Sequence, residues 1–449
     1  MNIITLLASQ LQKPGGLWSS LINWFQGGIG NFGWTILLVT VFVKIIVSPL
    51  EFATKLSSKK QTLIQQKCAP QLAKIKKKFG KDQNAVRVQQ NALYKREGLN
   101  MGTGCIVMLI SMIVSMTIFF SFYGSLNKNS AYQAINQFEI LSNTYTSKNQ
   151  SLVVDKKSEI VGYTITNEED AKKFIEDFNI GFKLTKLIDD DKASEIKLKQ
   201  ELVDYYTSLY SSNKDLVEDI TELSTDEMLK KWKEIKSSWL WIDNIWVSDA
   251  IIYPFPAYKN FIDIAKSGGY STYINTLSKE IVGENSSDDE QTPIPENEDV
   301  SIYKSTFNEY YDTVSIIINT QGGKSKNGFF ILPILAALVT FLSQVVTERS
   351  TRLKNKKASM LTQNTDVAMS SSMKVMKFIL PIIMVTFVLR SSASFGIYIV
   401  TSNIVAMATS SISTLIINKI THKQQLEVEE YLEKEANRLI KKGKLQENK

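Results

Sequence analysis

The sequence predicts an all-α, polytopic membrane protein with five transmembrane helices, a cytoplasmic helical hairpin and an inserted extracellular domain. Apolar stretches near the length that a bilayer requires recur along the 449 residues, and none alternates polar and apolar residues as a membrane β-strand does. The segments between them are either basic or acidic, which assigns each to one side of the membrane. The five predicted spans are residues 33–50, 104–126, 329–346, 375–389 and 395–417.

The charge of the connecting segments sets the orientation. Residues 51–103 hold 12 Lys or Arg against 3 acidic residues, and residues 347–372 hold 5 against 2. Residues 128–326 instead hold 22 Lys against 34 acidic residues. Because short basic loops stay in the cytoplasm, these two loops and the basic tail are expected inside. We therefore expect a multi-pass protein of the cell membrane with its N-terminus outside and its C-terminus cytoplasmic.

These assignments divide the chain into five parts. In the N-terminal part, an apolar and aromatic cluster at 17–25 predicts either an interfacial helix or a loosely ordered anchor. Within the basic loop, the pattern predicts two helices that join at about Gly80–Asp82. The parts are an outer-face N-terminal segment (1–32), the first two spans with the cytoplasmic hairpin 52–98 (33–127), an enlarged extracellular domain (128–327), spans three to five (328–420) and a cytoplasmic basic tail (421–449).

The rare residue types argue against several kinds of chemistry. Two cysteines, Cys68 and Cys105, lie far apart in sequence and give neither a disulfide framework nor a metal-ligand spacing. His422 is the single histidine, which argues against histidine-based acid–base catalysis and multi-histidine metal sites. We therefore predict no catalytic residue, no cofactor and no metal site.

Lys44 is the anomalous residue of the first span. An ammonium group near the bilayer centre costs about 2.5–3.5 kcal/mol on insertion scales, so such a residue is kept where it faces protein or a water-filled cavity. Thr40 and Ser48 lie one helical turn on either side, which predicts a polar stripe along one helix face. The stripe fits a hydrated groove. It also fits a structural lysine that snorkels to a lipid phosphate or pairs with Glu51, just beyond the span.

The predicted hairpin carries a cationic tip. Such a surface suits anionic lipid headgroups or an RNA backbone, and a solvated positive-inside loop explains the same charges. The candidate contact residues are Lys74, Lys76, Lys77, Lys78 and Lys81.

Four local matches, in order along the chain, resemble the YidC-type membrane protein insertases. The first span, GWTILLVTVFVKIIVSPL, is similar to the family's first core span, which has a threonine four residues before a groove cation and Pro-Leu at its end. The other matches are ALYK at 92–95 with Asn100 and Gly104-Cys105 before the second span, LWID at 240–243 with ILPIL at 331–335 before the third, and Tyr398 with Ser402-Asn403 in the last.

The chain also departs from that family's pattern. The family's groove cation is usually arginine, whereas this chain has Lys44. Near the second span, the family has prolines where this chain has Met101, Val107 and Ile113. The extracellular loop is also much enlarged. These departures indicate a divergent member with narrowed or altered clients.

The resemblance implies an insertase and foldase that inserts newly made membrane proteins through a hydrophilic groove within the bilayer, without covalent chemistry. It implies nascent membrane proteins, the phospholipid bilayer, the ribosome and a Sec-type translocon as partners, and no DNA. The residues implied to line the groove and contact clients are Lys44, Thr40, Ser48, Gln344, Tyr398, Ser402 and Asn403.

Two other classes of protein stay open on the residues alone. A solute transporter or channel would place Lys44 along the solute path, although the spans show no inverted repeat or paired broken helices. An envelope sensor would bind a ligand with its extracellular domain, although no signalling module is recognisable after the last span.

Overall fold

The protein is helical throughout its regular structure. The computed structural model describes residues 11–80, 82–98, 101–282, 300–323, 326–351 and 379–441. No β-strand occurs among these residues, and the predicted all-α fold is confirmed. The helices are α1 (Leu17–Ile29), α2 (Phe32–Phe79), α3 (Gln83–Arg96), α4 (Met101–Asp155), α5 (Glu168–Asp189), α6 (Gln200–Ile235), α7 (Tyr258–Gly268), α8 (Ser271–Val282), α9 (Phe307–Gln321), α10 (Ile331–Thr351), α11 (Ile379–Arg390) and α12 (Ala393–Lys441).

Apolar helices coincide with all five predicted spans. Helices α2, α12 and the part of α4 from Leu109 onwards are long and apolar enough to cross a membrane, judged by length and composition. Helix α10, over Ile331–Val346, and helix α11 are shorter apolar helices. These are the helices of a membrane-embedded protein, while the count of five spans and the orientation stay predictions.

The chain divides into two compact units. We call Met1–Ser20 with Gly124–Phe329 the insert unit, and Leu21–Tyr123 with Phe330–Lys449 the membrane unit. The predicted extracellular domain, 128–327, falls within the insert unit.

Helix α2 joins the first predicted span and the first arm of the hairpin without a break. It begins at the Asn31 cap, whose side chain accepts hydrogen bonds from the backbone of Gly33 and Trp34. Pro49 and Pro70 both lie inside the helix. Helix α3 begins at the Asp82 cap, so the turn falls where the sequence predicts it.

Three helices pack together in the membrane unit. Helix α12 contacts both α2 and α10 along its length, and α3 folds back onto α2. Gly396 permits the close approach of α12 to α10, because a Cβ there would lie only 2.9 Å from Leu332 Cδ1. The first part of the tail is helical and continuous with the last predicted span, since both are parts of α12.

The insert unit is built from the part of α4 that begins at Gly124 and from α5 to α9, around two main apolar clusters. One cluster holds Phe138, Trp232 and Tyr311, and the other lies where α5 and α6 pack together. Gly181 allows that packing, since a Cβ at this position would lie 2.2 Å from the carbonyl oxygen of Tyr206.

The N-terminal aromatic cluster forms helix α1, which is the helical alternative of the two left open. Ile22 is buried, whereas Leu17 and Trp24 are exposed. The side chain of Thr35 at the start of α2 donates a hydrogen bond of 2.8 Å to Gln26. The location of α1 at the membrane interface stays a prediction.

Some predicted features lie outside the described residues. They are Lys81 of the cationic tip, most of the basic loop 347–372, the start of the fourth predicted span and the end of the tail beyond residue 441.

Candidate functional site

The polar stripe of the first span opens progressively along α2. Thr40 is only 1% exposed, and its hydroxyl donates to the carbonyl oxygen of Ile36 at 2.6 Å. Ser48 is partly exposed and donates to the carbonyl oxygen of Ile45 at 2.8 Å. Both hydroxyl donors are therefore used within the helix, and their lone pairs remain available as acceptors.

Lys44 lies between these residues and has a carboxylate partner. Its Nζ is 3.7 Å from Oε1 of Glu51, and both side chains are 25% exposed. The two residues are seven positions apart, so they share a face two turns away from each other. Burial lowers the pKa of Lys55, further along α2, and the nearby Glu51 carboxylate opposes that shift. Glu51 thus interacts electrostatically with Lys44, which precedes it on α2, and with Lys55, which follows it.

The third and fifth predicted spans meet through polar side chains. Asn403 Nδ2 on α12 donates to Thr340 Oγ1 on α10 at 3.3 Å and to the carbonyl oxygen of Ile399 at 3.0 Å. Gln344 lies one turn beyond Thr340 and is partly exposed. A polar contact therefore links two of the apolar helices.

Tyr398 lies in an aromatic cluster of the membrane unit. Its ring centroid is 4.8 Å from that of Phe122 and 6.1 Å from that of Phe119, both on α4. Tyr398 is 8% exposed, so its ring contributes mainly to helix packing.

The lysines of the predicted cationic tip occupy the last turns of α2. Lys74, Lys76, Lys77 and Lys78 are exposed, and the last three stand where the C-terminal end of the helix dipole favours positive charge. Lys74 Nζ also lies 3.9 Å from Oε2 of Glu435 on α12. The exposed charges fit both of the interpretations left open by the sequence.

The contact between the hairpin and the tail helix was not predicted from the sequence. Leu63 on α2 packs with Val428 and Leu432 on α12, and Gln71 Nε2 donates to the Tyr431 hydroxyl at 3.5 Å. The sequence does contain a pattern that indicates this contact, because the apolar residues Val428 and Leu432 are four positions apart and so lie on one face of the tail helix.

The two arms of the hairpin are joined by a small core and a close ion pair. Cys68, Leu93 and Tyr94 form the core, and burial raises the pKa of the Cys68 thiol to about 11. Lys67 Nζ lies 2.8 Å from Glu97 Oε2, and this hydrogen bond raises the pKa of Lys67. The core and the ion pair therefore hold the two arms of the hairpin, α2 and α3, against each other.

A protein-family comparison places these features in a known context. Residues 24–160 match the family model described as 60Kd inner membrane protein. The matched segment contains the polar stripe of α2 and the whole hairpin. Four of the predicted groove residues lie beyond it, namely Gln344, Tyr398, Ser402 and Asn403.

Curated relatives named membrane protein insertase YidC align with part of the chain. The chain is 26% identical over 111 residues to that of Aromatoleum aromaticum, 32% over 111 residues to that of Marinobacter nauticus and 35% over 103 residues to that of Paracoccus denitrificans. The alignments cover 25%, 25% and 23% of this chain. They cover 20%, 19% and 15% of the relatives, so the chain spans a fifth or less of the length of those relatives. No solved structure matches.

Proposed function

Because residues 24–160 match the family model and align with curated YidC insertases, we propose that this chain is a YidC-type protein that inserts newly made membrane proteins into the bilayer and assists their folding. A client helix carries polar flanks and peptide groups whose transfer into hydrocarbon is costly. A hydrated polar stripe lowers that cost, because water and side chains replace the hydrogen bonds that the client leaves behind. The function requires no covalent step.

The observation that carries this proposal is the loose pairing of Lys44. At 3.7 Å the two charged groups are farther apart than in a charge-assisted hydrogen bond, which is about 2.7–2.9 Å long. Lys44 can therefore exchange Glu51 for an acidic residue of a client at small cost, since the pair is 3.7 Å apart and neither side chain is fully buried. A tightly buried pair would resist this exchange, because breaking it would leave an uncompensated charge.

The other groove residues have graded roles in this proposal. Ser48 is partly exposed and offers acceptor lone pairs to client N–H groups, whereas Thr40 is buried and supports the stripe from within the packed helices. Gln344, Ser402 and Asn403 would extend the polar surface onto α10 and α12. Tyr398 supports them through packing, which agrees with its burial against α4.

The proposal includes the orientation and partners that the sequence predicts. The N-terminus would lie outside the cell membrane and the hairpin and tail in the cytoplasm. The exposed lysines at the end of α2 would then face the ribosome or lipid headgroups. Clients would arrive from the ribosome directly or beside a Sec-type translocon.

The test is rescue of bacteria depleted of their own insertase, combined with photo-crosslinking to nascent chains. A photoreactive residue at position 48 should crosslink to a stalled membrane-protein nascent chain. The matched control is the same probe at position 46, because Ile46 is 61% exposed on the apolar side of the same helix. We expect growth on expression of the chain and stronger crosslinks from position 48 than from position 46.

The outcome also separates the remaining classes of function. Failure of both rescue and crosslinking would reject the insertase proposal. Solute flux through liposomes that contain the protein, abolished by Lys44→Ala, would then assign Lys44 to a transport path.

A further inference from the structure

The insert unit exposes large apolar side chains close to the point where the chain continues into α10. They come from three short non-helical stretches, and each is at least 39% exposed. We call them the apolar rim, and they are Leu240, Ile251, Ile252, Tyr253 and Phe329. Exposed apolar side chains that are held near one another mark a site of contact with a partner or a membrane.

Backbone hydrogen bonds hold two of these stretches together. The amide of Asn327 donates to the carbonyl oxygen of Ile252 at 2.6 Å, and that of Gly328 donates to Ala250 at 3.1 Å. The amide of Phe329 donates to Oδ1 of Asp249 at 2.9 Å. The residues before α10 therefore lie directly beside residues 250–253.

Leu240 reaches the same region from a tight turn. Trp239 and Ile242 exchange backbone hydrogen bonds of 2.9 Å, which leaves Leu240 and Trp241 at the tip. Trp241 Nε1 donates to Oδ2 of Asp249 at 3.3 Å and so ties the tip to the other stretches. Leu240 has a φ of +51°, a left-handed conformation that is unfavourable for a branched side chain. The fold thus holds an exposed leucine in a strained position, as happens at functional sites.

The chemistry of the rim matches a membrane interface. Residues 239–242 and 250–255 contain tryptophan, tyrosine and aliphatic side chains and no charged residue. Tryptophan and tyrosine are enriched where a protein crosses the boundary between water and lipid. The two flanking carboxylates point to internal partners, since Asp243 pairs with Lys236 at 2.7 Å and Asp249 accepts from Trp241 and Phe329.

The rim is continuous in sequence with the apolar helix α10, and this continuity indicates that the rim contacts the membrane. Phe329 precedes Ile331, the first residue of that apolar helix, by two positions, so the Cα atoms of the two residues are at most about 7 Å apart. When α10 enters the bilayer at Ile331, chain continuity puts Phe329 at the level of the lipid headgroups, and hydrogen bonds within the insert unit hold residues 250–253 beside it. We propose that the apolar rim anchors the insert unit by dipping into the leaflet that α10 enters first, with phospholipid as its ligand.

The test uses the full chain in nanodiscs of phosphatidylcholine, with a single environment-sensitive fluorophore on an introduced cysteine. Cys68 and Cys105 are replaced by alanine in every variant. Ile251→Cys reports on the rim. Val161→Cys is the matched control, because Val161 is 57% and Ile251 51% exposed. Val161 bonds to Asn213, which lies about 33 Å along α6 from the end that leads to the rim.

Brominated acyl chains provide the measurement. We expect the label at Ile251→Cys to lose most of its fluorescence in brominated lipid and to resist aqueous iodide, with the reverse pattern at Val161→Cys. A third label at Leu338→Cys, on α10, reports whether that helix lies in the bilayer. Quenching by lipid at position 338 but not at position 251 would overturn the proposal, as would equal quenching at 251 and 161. Absence of lipid quenching at 338 would also overturn it, because its premise would then be lost.

Discussion

The two halves of helix α2 hold their charged side chains in different ways. At the end of the predicted span, Lys44 and Glu51, which lies just beyond it, are 3.7 Å apart, and their side chains are equally exposed. In the hairpin, Lys67 and Glu97 approach to 2.8 Å, and Arg96 donates to Gln71 at 2.8 Å beside them. The hairpin half of α2 is therefore held by close contacts with neighbouring helices, whereas the half in the predicted span carries polar groups that can exchange partners.

Two helices, α3 and α12, hold the hairpin half of α2 in place. Helix α3 covers one side through the core around Cys68, and α12 covers another through Leu63, Val428 and Leu432. The contacts follow the same order along α2 and α12, from Leu63 with Val428 to Lys74 with Glu435, so these two helices run parallel. Because α2 and α12 also carry predicted groove residues, this contact holds together two of the helices that would line the groove.

The largest effect is expected from removing the apolar contact between hairpin and tail. Leu432 has no exposed surface, and Leu432→Ala should reduce the free energy of opening of residues 421–441 by about 2–5 kcal/mol, through lost burial and the cavity left behind. The measurement is amide hydrogen exchange of the tail in detergent or nanodiscs. Leu426→Ala is the control, since Leu426 is 51% exposed on the same helix and its truncation should change stability by less than about 0.5 kcal/mol. Equal effects of the two substitutions would show that the tail is not held by this contact.

Burial in the hairpin core should also protect the Cys68 thiol from alkylation. Because burial raises the pKa of Cys68 from 9.0 to about 11, its thiolate fraction at pH 8 should be about a hundredfold lower than that of an unperturbed cysteine. Iodoacetamide alkylation followed by mass spectrometry measures this, with Leu426→Cys in a Cys68→Ala background as the exposed reference. A Cys68 rate that matches the reference across pH 7–10 would contradict the burial of the hairpin core.

Reversing the loose pair tests whether the charge at position 44 serves clients or only Glu51. Under the proposed function, Lys44→Glu should reduce insertion of a client with an acidic translocated segment by about tenfold, equivalent to ~1.4 kcal/mol. The double variant Lys44→Glu, Glu51→Lys restores the pair and should not restore insertion. Lys44→Arg keeps the cation and should insert normally. Restoration by the double variant would assign Lys44 a purely structural role.

Much of the fold could be predicted because helix periodicity and apolar length are local properties. The positions of α2, α3 and α10 follow from patterns within each segment, including the turn after Gly80. The continuity of α2 through Pro49 and Pro70 could not be predicted, since a proline only weakens a helix locally and tertiary contacts with α3 and α12 decide whether it continues.

The candidate site was predictable in its residue types and less so in their partners. Lys44 stands out because a cation in an apolar run is costly. Its pairing with Glu51 was one of several alternatives, since the rotamers of both side chains decide it. The contacts of Asn403 with Thr340 and of Tyr398 with Phe122 join residues far apart in sequence, and no local pattern specifies such pairs.

The smallest expected effect is the difference in stability between variants that remove one or the other ion pair of α2. Glu97→Gln should lower stability at pH 8 by up to about 1 kcal/mol, since the pair is close but Lys67 remains partly exposed and screened by water. Glu51→Gln should cause a smaller change, because its pair is longer. The pKa of Lys67 is raised above its ordinary value of 10.5, so the contribution of its pair is complete below that value and is lost as pH rises through the higher folded pKa. The difference between the parent chain and Glu97→Gln, measured by thermal unfolding between pH 8 and strongly alkaline pH, should therefore shrink at the upper end. A difference that grows with pH would show that Glu97 acts through something other than the lysine charge.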